Sequence, residues 1–125
     1  MERYLLDTSA ILALLKGGRD AFDVHHFVKG HKIYSSILCY CEVLNKAEGS
    51  RQQTAKDFLS SLILLPLTLS DGFLAEKLQY ACRKSGKHVT TPDCLIAATA
   101  ISHDAVVVAM DSDFKRIEGL KSHVF

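Results

Sequence analysis

The sequence predicts an α/β sandwich, a central parallel sheet with helices on both faces. Three observations carry this expectation. Short apolar runs alternate along the chain with longer segments of helical periodicity, the order that builds a parallel sheet through helical crossovers. The run Ala105–Met110 is apolar throughout, as suits a strand covered on both sides. The segment Cys94–Ile101 is apolar nearly all round, which marks a helix enclosed by the fold. With 125 residues the chain has room for one real core, and we expect a single domain over 1–125.

The elements follow in order. Arg3–Leu6 reads as a short apolar strand and Thr8–Leu15 as a helix, ended by the turn Gly17-Gly18. Asp20–Lys29 is a second helical stretch, and Lys32–Ser35 a second strand. Ser36–Ala47 is helical, with Leu38, Cys41 and Asn45 on one face and Glu42 at the edge of that inward stripe. Gln52–Leu62 places Ala55, Phe58, Leu59 and Leu62 at the spacing of one helix face. Ile63–Leu67 contains Pro66, which cannot donate to a ladder, so it is expected at a sheet edge. Ser70 is the expected N-cap of a helix that turns Leu74, Leu78, Ala81 and Cys82 inward and stops near Ser85-Gly86. Thr91-Pro92 opens the next helix, with Pro expected at its first position. Ala105–Met110 is the buried strand, and Ser122–Phe125 a short terminal one.

Composition narrows the function classes. Apolar residues make up 48% and charged residues 23%, and the formal net charge is +1. Such a balance neither favours nor opposes a polyanionic partner, so any nucleic-acid contact must use a local patch. No apolar run is long enough to span a bilayer, and no signal-peptide pattern opens the chain, so a cytoplasmic location without membrane association is expected. Cys39, Cys41, Cys82 and Cys94 are then expected as reduced, buried thiols. Cys39 and Cys41 point to nearly opposite sides of a helix and do not share a metal. The histidines show no ligating spacing and are expected mostly at the surface.

The chemistry is carried by acids at the ends of apolar runs: Asp7 in YLLDTSAIL, Glu42 in SSILCYCEV, Asp93 in TPDCLIAATA and Asp111 in VVVAMDSDF. In a parallel sheet, ligands bind outside the carboxyl ends of the strands. Asp7 and Asp111 follow two such ends, and Glu42 and Asp93 would join them from helices. Each acid has a structural role open to it alone. Asp7 or Thr8 caps a helix, Glu42 bounds an amphipathic face, Asp93 complements a helix dipole, and Asp111 and Asp113 are ordinary turn residues. Gathered together, however, carboxylates repel unless a hard divalent cation such as Mg2+ or Mn2+ joins them. Such ions bridge a phosphate, activate water and stabilise the leaving oxygen. Thr8 and Ser9 then stand as residues that orient a carboxylate. No phosphate-binding glycine loop is present in the sequence, which argues against nucleotide binding.

With these residues in hand, the chain resembles the PIN-domain ribonucleases, and among them the VapC-type toxins of toxin–antitoxin pairs. The resemblance runs from Tyr4 to Phe114. LLDTSAIL matches the first motif with Asp7. Ser36 followed by Glu42 matches the second. PDCLIAATA, the most specific piece, carries Asp93, and MDSDF supplies Asp111 with Asp113 as an accessory. The chain departs from the family pattern at Ala109-Met110, where a Thr is common, and at Cys39, where a hydroxyl residue is common. The resemblance implies a three-layer, Rossmann-like PIN fold with an acidic pocket formed by Asp7, Glu42, Asp93 and Asp111. It also implies Mg2+- or Mn2+-dependent cleavage of RNA by an activated water, a homodimer, and a small antitoxin partner that blocks the pocket. Ser36 joins Thr8 and Ser9 as an orienting residue in this reading. Among the basic residues Lys46, Arg51, Lys84, Lys87, Lys115 and Arg116, the last two follow the acid-bearing turn directly and are favoured for RNA phosphates.

Three rival readings remain at this level. One is a catalytically silent PIN-like module that binds RNA or protein. Another is a housekeeping RNA-processing nuclease of the same fold. The third is a phosphatase or receiver-like protein acting through an Asp after its first strand; the absence of DxD spacing at Asp7 and of a matching Lys speaks against it.

Overall fold

The structure, a computed structural model, describes residues 2–125. The elements run β1 (Arg3–Leu6), α1 (Thr8–Lys16), α2 (Gly18–Val28), β2 (Lys32–Ser36), α3 (Ile37–Asn45), α4 (Ser50–Ser60), β3 (Ile63–Leu65), α5 (Leu69–Lys84), α6 (Thr91–Ser102), β4 (Val106–Ala109) and β5 (Ser122–Val124). A 3-10 turn at Ser112–Arg116 lies between the last two strands. The five strands form one sheet in the order β3-β2-β1-β4-β5. Every pairing is parallel, with Leu5 beside Tyr34 on one side and Val107 on the other. β3, which holds no proline, is an edge strand, and Pro66 follows it directly.

This order places the site. From β1 the chain winds outward through β2 to β3, then crosses back to lay β4 on the opposite side of β1. The direction of winding reverses between β1 and β4, and such a switch point opens a crevice at the carboxyl ends of the two strands. The core that supports it is contiguous. Leu5 and Leu6 of β1, Ile11 of α1, Val43 of α3, Leu59 of α4, Ile96 of α6 and Val107 and Val108 of β4 are all buried. In α6 the small residues Ala97, Ala98 and Ala100 are fully enclosed, which explains a helix with no polar face over its body.

Several details differ from the sequence reading. The N-cap of α5 is Thr68, not Ser70. Thr68 accepts from the Asp71 amide while the Asp71 carboxylate accepts from the Thr68 amide, a reciprocal box that outcompetes a lone serine. The cap of α6 is Thr90, so Thr91 is its first residue and Pro92 its second. The inward face of α3 is Cys39 and Val43, while Cys41 and Asn45 are exposed. The helix is rotated because Ser36 caps it by accepting from the Cys39 amide, turning Cys39 toward the core. Cys41 is therefore an exposed free thiol, whereas Cys39, Cys82 and Cys94 are buried as expected. On α5 the buried positions are Asp71, Ala75 and Cys82, and Ala81 faces out. That shift follows from Asp71, whose bonds to Ser102 and Thr99 of α6 fix the rotation of the helix.

Candidate active site

The end of β1 delivers Asp7 to the crevice. Its amide donates to the Val108 carbonyl of β4 at 3.1 Å, continuing the ladder past the strand. Its backbone is extended, and its Oδ1 accepts from the Ala10 amide at 2.9 Å, so Asp7 caps α1. Ser9 Oγ donates to the same carboxylate at 2.7 Å and accepts from the Met110 amide at 2.9 Å. One hydroxyl thus ties the acid after β1 to the chain leaving β4. Ser35, which the sequence reading missed, adds a brace from below. Its hydroxyl is fully buried and donates to the Leu6 carbonyl at 2.7 Å, fixing the peptide that leads into Asp7. A hydroxyl is costly to bury without a partner, but nothing in KIYSS sets Ser35 apart from Ser36 in sequence.

Glu42 enters from α3, where Thr8 Oγ1 donates to its Oε1 at 2.6 Å. Among the described residues Ser36 makes no hydrogen bond to a carboxylate; it caps α3, the helix that carries Glu42. Asp93 stands in the first turn of α6, with its amide capped by Thr90. Asp111 follows β4, and its Oδ1 accepts from the Asp113 amide at 2.9 Å, opening the 3-10 turn.

Asp7, Glu42, Asp93 and Asp111 line one cavity of about 190 Å3, together with Thr8, Ser9, Leu12, Lys46 and Ile96. The structure therefore brings the four sequence-predicted acids together, with two of the three hydroxyl residues assigned to them. Asp113 does not line the cavity; it lies 3.5 Å from Arg116 Nη1. Arg116 also donates to the His88 carbonyl at 2.8 Å, so it staples the 3-10 turn to the loop before α6. Lys115 is exposed and likewise outside the cavity lining. Lys46, ranked below these two in sequence, is the basic residue in the lining.

Electrostatics reflect the crowding. Burial pushes the Asp7 carboxyl up to about 6, with Asp93 and Asp111 adding to the rise against the bonds from Ala10 and Ser9. Asp93 is also raised, by burial first, then by Asp113, Asp111 and Glu42, with the Thr90 hydroxyl opposing. Among the described residues, no three Asp, Glu, His or Cys side chains are already arranged to hold a metal ion. The donor set nonetheless suits one. It is all oxygen, it is anionic, and its members repel one another in a partly desolvated cleft, which is the condition a hard divalent cation relieves.

A parallel α/β sheet whose switch-point crevice is lined by carboxylates defines a class of acidic-site α/β proteins. The PIN domain family profile matches residues 4–120, and the chain belongs to that family. Ribonuclease VapC1 of Rickettsia felis is 27% identical over 126 residues, covering 94% of this chain and 92% of that protein. Among the solved structures that share the fold are two VapBC complexes. The VapBC2 complex of Rickettsia felis bound to a promoter DNA fragment matches with a TM-score of 0.82 at 23% identity, covering 98% of both chains. The DNA-bound VapBC of Salmonella typhimurium matches with a TM-score of 0.82 at 20% identity, again over 98% of each.

Proposed function

We propose that this chain is a divalent-cation-dependent endoribonuclease and the toxic member of a toxin–antitoxin pair. The observation that carries the reading is the convergence of Asp7, Glu42, Asp93 and Asp111 on one cavity at the ends of β1 and β4. The ribonuclease name of the Rickettsia relative and the VapBC complexes among the structural neighbours support it. Mg2+ or Mn2+, when bound by these four acids, supplies charge neutralisation at a phosphate and activation of water. The chain's own contribution is positional. Thr8 holds the Glu42 carboxylate in one orientation, and Ser9 does the same for Asp7 while locking the two strand ends together. In-line attack of water on the phosphate leaves a 3′-hydroxyl and a 5′-phosphate.

The reading extends to partners and place. A small antitoxin would cover the acidic cavity, and a cytoplasmic setting fits four unpaired thiols. Among the described residues no helix is long and apolar enough to cross a membrane. We also assign a homodimer contact to the outer face of α5, where Leu69 is 76% and Phe73 64% exposed, four residues apart on one side.

Cleavage of a mixed RNA pool by wild type and Asp7→Asn, with Mn2+ and with EDTA, tests the nuclease. Cutting by wild type with metal alone, and a loss of at least about a thousandfold in Asp7→Asn, is the expected result. The alternative reading is a silent binding module. It would take over if folded wild type neither cuts RNA nor binds Mn2+ in calorimetry.

A further inference from the structure

We propose that Lys46 is a positioning residue that holds an RNA phosphate beside the acidic cavity and leads the strand out along a neighbouring groove. The inference rests on the ribonuclease reading above and names the path of its substrate.

Lys46 is the C-cap of α3, four residues after Glu42, so the two side chains lie on the same side of the helix. It lines the cavity of the four carboxylates. A lysine among carboxylates ordinarily pairs with one. Here Glu42 Oε1 is taken by Thr8, Asp7 by Ser9 and Ala10, and Asp111 Oδ1 by the Asp113 amide. Among the described residues, Lys46 makes no ion pair.

The same side chain lines a second, larger cavity of about 530 Å3 between α1, α3 and α4, which shares Leu12 and Lys46 with the acidic one. Its charged lining residues are Lys16, Lys46 and Arg51, with no acid among them. One continuous surface thus changes sign at Lys46. The acidic side suits a cation-neutralised scissile phosphate, and the basic side suits the backbone of the strand that continues from it. One ammonium at the junction fixes the register between the two. A lysine at a helix C-terminus also complements the helix dipole. That role predicts a change in stability and none in substrate recognition.

The test uses the protein with Mn2+ and a single-stranded RNA oligonucleotide, comparing wild type, Lys46→Ala, Lys46→Arg, Lys16→Ala/Arg51→Ala and the control Lys29→Ala, an exposed lysine outside both cavities. Lys46→Ala should raise KM about tenfold with kcat changed less than about threefold. The slope of log KM against log salt should become shallower by about 0.7, the value for one phosphate contact on a single strand. Lys46→Arg should recover most of the loss. Lys16→Ala/Arg51→Ala should weaken cleavage of a long oligonucleotide and leave a trinucleotide unaffected. Wild-type KM and salt slope in Lys46→Ala, alongside active wild type, would overturn the assignment and leave the nuclease reading standing. A variant that loses only capture of a co-expressed protein inhibitor, with RNA kinetics intact, would also overturn it. Absence of cleavage by wild type itself would remove both. A change in melting temperature without a change in KM would assign Lys46 to the dipole alone.

Discussion

Asp7 is asked to carry charge where the protein makes charge expensive. As the cap of α1 it accepts a backbone hydrogen bond, yet its carboxyl is pushed up to about 6 by burial and by its acidic neighbours. The folded state therefore holds this proton more tightly than the unfolded chain does. Stability from the group is complete below the ordinary carboxylate value near 3.8 and is lost as pH rises through about 6. We expect metal-free wild type to lose more stability between pH 4.5 and pH 7 than Asp7→Asn does, by roughly 2 kcal/mol. Thermal scans of the two proteins in EDTA across that range check it, and parallel curves would reject it. Addition of Mn2+ at pH 7 should restore wild type more than the variant, because a ligand that binds only the folded state stabilises it.

At the scale of elements, the contact between α5 and α6 depends on one buried carboxylate. Asp71 is 2% exposed and accepts from the Thr68 amide, from Ser102 at 2.7 Å and from Thr99 at 3.4 Å. Burial opposes its charge, but the bonds from Ser102 and Thr68 outweigh it and hold the carboxyl below its ordinary value. Its stabilisation is present above that ordinary value and is lost as pH falls through the lowered one. Asp71→Ala should cost about 2 kcal/mol in urea unfolding at pH 7, through the lost cap and bridge. The cost should shrink toward acid pH. The strands and helices were legible from periodicity because burial on both sheet faces writes continuous apolar runs. The rotation of α3 and α5 about their axes was not, because side-chain bonds at Ser36 and Asp71 decide it. Asp71 was overlooked because a T-x-x-D box and a plain serine cap look alike until the partner residues on α6 are known. Of the candidate site, the four acids were legible because each borders an apolar run. Lys46 was not distinguished because nothing in sequence separates a lysine facing a cavity from one facing water.

For the whole molecule, one exposed apolar surface is the outer face of α5, with Phe73 64% and Leu69 76% exposed. A pair of such groups in water favours burial against a like face. Phe73→Asp should convert a dimer to a monomer in sedimentation equilibrium without lowering the melting temperature of the monomer; a wild type that is already monomeric at micromolar concentration would reject the assignment. The site itself is assembled from distant parts of the chain. Ser9 and Met110, joined by one hydrogen bond, are 101 residues apart in sequence. Asp7 and Asp111 lie on opposite sides of the winding reversal, and Glu42 and Asp93 arrive from the helices between. A polypeptide still emerging from the ribosome holds Asp7 and Glu42 long before Asp93 and Asp111 exist. Its acidic cavity closes only when β4 slots in beside β1, so the four carboxylates first meet after the chain has been made through β4.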